Sequence, residues 1–172
     1  MDGYLLDTNV LIPLLRPNHK DYETIKRRLV QATTGSPVWV SVAALAELHV
    51  GAFLSVGDSD RARREIEETI ADHHLWVREI TRHTAAMYGD LKARLMLKYN
   101  RPTGKGKWPE NWPLPDKGVM LGVDEFDLLM VSHALEYGLV LVTNDEMRRI
   151  REGLGEVATD LQIEDWTQVP SD

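Results

Sequence analysis

Asp7, Glu47, Asp127 and Asp145 stand where surface acids are unusual, each against apolar surroundings. Asp7 follows the short apolar run Gly3-Tyr4-Leu5-Leu6 and precedes Thr8-Asn9, a cluster that favours turns and helix caps. Asp145 ends the run Leu139-Val140-Leu141-Val142 in the same way, after Thr143-Asn144. If both runs are buried strands, each delivers a carboxylate to a strand's carboxyl end. Either acid alone reads equally well as a helix cap. Glu47, placed on a helix, has Ala43, Ala44, Val50 and Gly51 one turn away, so its face reads as buried. Asp127 has Val123, Asp124, Met130 and Val131 at the same spacings. Asp124 reads as the cap of that helix, with Asp127 either completing the cap or pointing inward.

An unpaired buried carboxylate is costly, and buried charges are generally paired or bound to metals. Several carboxylates in one concave site repel each other unless a cation neutralises them. The chain has no cysteine, and its histidines lack metal-binding spacing, so the donors are hard oxygens. Such donors suit one or two Mg²⁺ or Mn²⁺ ions. The formal net charge of −7 is unusual for a protein that handles nucleic acid. Bound cations would offset it locally.

The elements that must position these acids are legible as short strands separated by helices. Strands are expected at 3–6, 38–40, 75–77 and 139–142, with a last one near 159–163. Helices are expected at 10–15 (ending before Pro17), 20–33, 42–56, 60–72, 81–99, 124–137 and 146–151. Tyr22, Ile25, Leu29 and Val30 mark the inner face of the second of these. Short continuous apolar strands alternating with helices predict a three-layer α/β/α fold around a central parallel sheet of four to five strands. In such sheets ligands gather at the carboxyl ends of the strands. The length of 172 residues suits a single domain, 1–172. No run is long and apolar enough to span a bilayer, and no secretory signal is evident, so a cytoplasmic location is expected.

These motifs resemble those of PIN domains, and in particular of VapC-type toxins. Leu5-Leu6-Asp7-Thr8-Asn9-Val10-Leu11 is similar to the family's opening motif, and Ser41–Leu48 to the block centred on its glutamate. Asp127–Ala134 and Leu141–Asp145 resemble the third and fourth blocks, and Tyr88–Lys92 the helix before the third. The resemblance implies a PIN-like fold and a Mg²⁺- or Mn²⁺-dependent endoribonuclease. It implies Asp7, Glu47, Asp127 and Asp145 as catalytic metal ligands, with Thr8, Asn9, Asp124 and Thr143 as supporting polar groups. It further implies a homodimer and a cognate antitoxin that blocks the acidic site. An RNA-processing nuclease outside a toxin–antitoxin pair, or a non-catalytic scaffold, are the alternatives.

The segment 100–122 departs from compact VapC-type toxins by its length. It holds four prolines and four glycines and is expected to be a long irregular loop. Lys105, Lys107 and Trp108 within it are candidate RNA contacts, since cations track phosphates and aromatic rings stack on unpaired bases. A proline-rich loop pinned by its tryptophans is an equally good reading.

Overall fold

A computed structural model describes residues 3–55, 57–99, 108–114 and 120–168. Lys105, Lys107 and much of the 100–122 segment lie outside the described residues. Five strands, β1 (Tyr4–Leu6), β2 (Val38–Ser41), β3 (Trp76–Arg78), β4 (Val140–Val142) and β5 (Ile163–Glu164), form one parallel sheet in the order β3-β2-β1-β4-β5. The helices are α1 (Thr8–Leu14), α2 (Tyr22–Thr33), α3 (Val42–Phe53), α4 (Ser59–Asp72), α5 (Arg82–Lys98), α6 (Glu125–Tyr137) and α7 (Arg148–Leu154). They complete the expected three-layer α/β/α arrangement.

The central strands are buried on both faces, with Leu5, Leu6, Leu141 and Val142 wholly inaccessible. Each such side chain contributes roughly 1.5–3 kcal/mol of burial, which is why their runs read as unbroken apolar segments. From β1 the chain moves outward through β2 to β3, then returns to the other side of β1 as β4. The direction of winding therefore reverses between β1 and β4. At such a reversal the connections leave to opposite sides, and a ligand crevice is expected at the carboxyl ends of the two strands. Asp7 and the Thr143-Asn144-Asp145 segment are the residues that follow those two strands.

Helix termini follow the side-chain chemistry. Asp7, Ser41, Asp58, Thr81 and Asp124 each cap a helix by accepting a backbone N–H, and Gly138 ends α6 in the left-handed conformation (φ 60°). Three expectations need correction. The first helix starts at Thr8 and stops at Leu14 with Pro13 inside it, short of Pro17. The last strand lies at Ile163–Glu164, because residues 155–160 form a 3₁₀ helix. Val30, expected on an inner face, is exposed, while Ile25 and Leu29 alone in α2 are buried.

Gly3 fixes the entry to β1. Its φ is 124°, and a Cβ built there would lie 2.3 Å from the carbonyl oxygen of Pro37. That same oxygen accepts the Tyr4 N–H at 3.0 Å and sets the register of β1 on β2. Gly3→Ala is therefore expected to destabilise by more than the roughly 1–3 kcal/mol of a strained backbone alone. Urea unfolding measures this, and an unchanged midpoint would show that the close approach does not constrain the fold.

Candidate metal centre

Asp7 is the hub of the crevice. Its side chain is 5% exposed and accepts three hydrogen bonds. The Thr8 N–H donates to Oδ1 at 2.7 Å, and Asn9 Nδ2 and Thr143 Oγ1 donate to Oδ2 at 2.8 and 2.7 Å. Thr143 is itself buried and accepts from Asn9 Nδ2 at 2.8 Å and from the Asp145 N–H at 3.1 Å. The polar residues after β1 and those after β4 thus form one interlocked network around a single carboxylate. The Thr8 hydroxyl donates to Glu47 Oε2 at 2.6 Å, tying the start of α1 to α3.

Of the remaining acids, Glu47 and Asp127 lie on α3 and α6, Asp124 directly precedes α6, and Asp145 lies in the loop after β4. Asp127 sits in the first turn of α6, with Val123, Met130 and Val131 buried around it. Asp124 caps that helix by accepting the Phe126 N–H at 2.7 Å, and its own backbone N–H bonds the Asp127 carboxylate. Asp145 accepts the Met147 N–H at 2.9 Å and is exposed. Glu47 is half-buried, and here the sequence reading needs correction: Val50 and Gly51 face solvent. The glutamate lies at the rim of a groove, not on a wholly buried face.

The electrostatics of these groups are dominated by burial and by one another. Burial pushes the carboxyl of Asp7 above its ordinary range against the bonds from Thr143 and Thr8, and Asp145 adds to the rise. Burial also raises Glu47, partly offset by the Thr8 hydroxyl, with Asp7 and Asp124 contributing repulsion. Asp127 is pushed up to about 7 by burial first and then by the charges of Asp7, Asp124 and Asp145.

Among the described residues, no three acids or histidines stand close enough together to form a finished metal cage. One oxygen each of Glu47 and Asp145 is engaged by Thr8 and by Met147. The donor set nevertheless fits a hard divalent cation, being all oxygen, with Asp7, Asp124 and Asp145 each repelling charge on Asp127.

Two contacts were not foreseen from sequence. One is the Thr8–Glu47 bond. The other joins His133 Nδ1 to Ser41 Oγ at 3.1 Å, both side chains wholly buried. Ser41 caps α3, which carries Glu47, and His133 lies on α6, which carries Asp127. Ser41 directly precedes the helix expected at 42–56, but nothing near it in the chain pointed to a partner on α6. Trp108 is 53% exposed, whereas Trp112 is 1% exposed and packed in the core. The pinning role applies to Trp112 alone.

The fold thus defines a parallel α/β protein whose sheet reverses its winding between β1 and β4, with an acid following each of those strands. A family model, the PIN domain, matches residues 4–152, and the chain belongs to that family. The structure resembles VapBC2 from Rickettsia felis bound to a DNA fragment from its promoter, with TM-score 0.68 and 21% identity over 95% of this chain and 98% of that one. It is also similar to DNA-bound VapBC from Salmonella typhimurium, with TM-score 0.64 and 25% identity over 96% of this chain and 99% of that one. VapBC-1 from nontypeable Haemophilus influenzae gives TM-score 0.63 and 28% identity over 96% of this chain and 98% of that one. No curated protein sequence matches the chain.

Proposed function

We propose that this protein is a Mg²⁺- or Mn²⁺-dependent endoribonuclease, the toxin of a toxin–antitoxin pair. The observation that carries the reading is the group of acids around the β1/β4 switch point, where Asp7, Asp124 and Asp145 help to raise Asp127 to about 7. Membership of the PIN domain family and likeness to VapBC structures support it. Asp7, Glu47, Asp127 and Asp145 would hold the ion or ions. When bound, the ion would supply Lewis acidity at the phosphoryl oxygens and a nucleophilic water.

The chain's own residues prepare that chemistry. Thr143 and Asn9 hold the Asp7 carboxylate in one orientation, so little side-chain entropy remains to be lost when it takes up a ligand. The Thr8 hydroxyl fixes one Glu47 oxygen and leaves the other free. Thr143 and Asn9 therefore act as supporting groups, and Asp124 as a cap that adds negative charge. Lys105 and Lys107 remain candidate RNA contacts on sequence grounds.

A partner protein is supported by the groove that starts at Thr8 and Glu47 and runs between α1, α3 and α4. Ile12, Leu15, Leu48 and Ile66 line it. An antitoxin segment seated there would cover the acids from the side, and homodimerisation of the toxin belongs to the same proposal. Among the described residues, no helix is long and apolar enough to cross a membrane.

The test is calorimetric titration of the protein with Mn²⁺, followed by incubation with a mixed RNA pool. Metal binding together with metal-dependent cleavage is the expected result. A folded protein that binds no Mn²⁺ would reduce the acids to caps and surface groups and overturn the reading.

A further inference from the structure

Beside Asp124 and Asp127, a second group of side chains surrounds the start of α6. Glu125, the first residue of that helix, accepts the phenol proton of Tyr88 and the ammonium of Lys92, the latter at 2.5 Å. Lys92 Nζ also donates to the Tyr88 oxygen at 3.0 Å, so the three polar groups close on each other. Tyr88 and Lys92 lie one turn apart on α5, which packs along α6. Both members of the ion pair are largely buried, at 22% and 17% side-chain exposure. Lys92 is therefore a held cation and not a mobile surface charge.

That cation faces aromatic rings. Its Nζ lies 5.4 Å from the centroid of the Tyr88 ring and 5.7 Å from that of Trp108, within cation–π range. Trp108 begins an anchored turn. The Asn111 N–H bonds the Trp108 carbonyl, Pro109 is buried, and Trp112 N–H bonds the Pro109 carbonyl before its ring enters the core. Met120 pairs with Pro113, and the Leu121 and Gly122 N–H groups bond Trp112 and Glu110 carbonyls. Trp108 is thus a half-exposed indole presented on a fixed turn, with a held cation near its ring.

We propose that Trp108, oriented by Lys92 and Glu125, is a stacking platform for one unpaired base of a single-stranded nucleic acid. Three observations favour a base over another ligand. The indole is the large flat apolar surface that stacking uses, and it costs little entropy to present because its turn is anchored. The Lys92–Glu125 pair is internally neutral, so the platform adds no repulsion for a polyanion on a chain of net charge −7. Glu125 and Asp127 are two residues apart in the first turn of α6 and project to different sides of it. Through Lys92 and Glu125 the platform thus adjoins the same first turn of α6 that carries Asp127. A duplex keeps its bases paired and cannot use the platform. The placement of the strand rests on the ribonuclease reading; the binding itself does not.

The test uses a short fluorescein-labelled oligoribonucleotide at low salt, with divalent ions chelated so that nothing is cut. The wild type is expected to prefer the single strand to its duplex. Trp108→Ala should weaken single-strand binding by roughly fivefold to a hundredfold, the range for loss of one stacked base, and leave duplex binding unchanged. Trp108→Phe should retain most of the affinity, and Lys92→Gln should fall between them. Replacing one uridine by 5-iodouridine should give a photo-crosslink that mass spectrometry maps to Trp108. Unchanged affinity in Trp108→Ala, or equal loss for single strand and duplex, overturns the proposal. So does intact RNA binding with an altered oligomeric mass, which would make Trp108 a protein contact. Cleavage by the wild type in Mn²⁺ is read separately. A chain that binds through Trp108 without cutting would keep this inference and reject the nuclease reading.

Discussion

Asp7→Asn is expected to remove metal-dependent RNA cleavage almost completely. The loss should exceed the roughly 10–100-fold typical when a group that merely supports a metal ligand is removed, because Asp7 is the hub to which the other groups are tied. Its two oxygens accept from Thr8, Asn9 and Thr143. An amide offers one acceptor oxygen and turns an NH₂ group on either the Thr8 N–H or the Asn9 and Thr143 donors. The charge is lost and the geometry is disturbed together. Relief of a buried charge offsets part of the lost bonding, since burial holds the Asp7 carboxyl above its ordinary range. The variant should therefore still fold. Single-turnover cleavage of labelled RNA in Mn²⁺, with circular dichroism of the same sample, measures both effects. Undiminished cleavage by a folded Asp7→Asn protein would remove Asp7 from the active site.

Asp127→Asn should separate function from stability more sharply. In the folded protein this carboxyl is pushed up to about 7 from an ordinary 3.8, by burial and then by Asp7, Asp124 and Asp145. The folded state therefore binds a proton more tightly than the unfolded chain does. Between these two values the folded state carries more protons, so stability falls as pH rises through the interval. Above it, the ionised carboxylate is a standing cost to the metal-free fold. Asparagine removes that cost. With divalent ions chelated at pH above 7, Asp127→Asn should melt above the wild type, by about 2–4 °C for each kcal/mol relieved, and its melting temperature should vary less with pH. Added Mn²⁺ should stabilise the wild type by mass action and the variant far less. RNA cleavage should be lost. If the variant instead melts lower without metal, Asp127 serves α6 as a cap through the Asp124 N–H, and its charge is not held for a ligand.

The two variants probe acids whose legibility in the sequence differed. Asp7 and Asp145 could be placed because a parallel strand buried on both faces must read as an unbroken apolar run. The residue that ends such a run must then lie at the sheet's carboxyl edge. Asp127 could be placed because its helical neighbours Val123, Met130 and Val131 are apolar, and all three are buried in the fold. The same reasoning misjudged Glu47. Its neighbours Val50 and Gly51 are apolar or small yet exposed, because that end of α3 borders a groove left open between helices. Apolar character reports what a position tolerates, and an uncovered groove looks the same in sequence as a covered one.

By itself, the sequence determined the alternation of buried strands and helices, and from it the parallel three-layer fold. It also determined the cap that starts α6, and the presence of acids at the edge of the sheet. These are properties of residues close together in the chain, where periodicity and capping chemistry act. Tertiary structure alone decided which groups meet. The Thr8–Glu47 bond joins residues 39 positions apart, Asn9–Thr143 joins residues 134 apart, and Ser41–His133 joins residues 92 apart. It also decided that Trp112 is buried while Trp108 faces solvent beside Lys92. Such outcomes depend on how the strands are ordered and how the helices pack across the sheet. The order β3-β2-β1-β4-β5 brings the ends of β1 and β4 together, and with them the residues that surround Asp7.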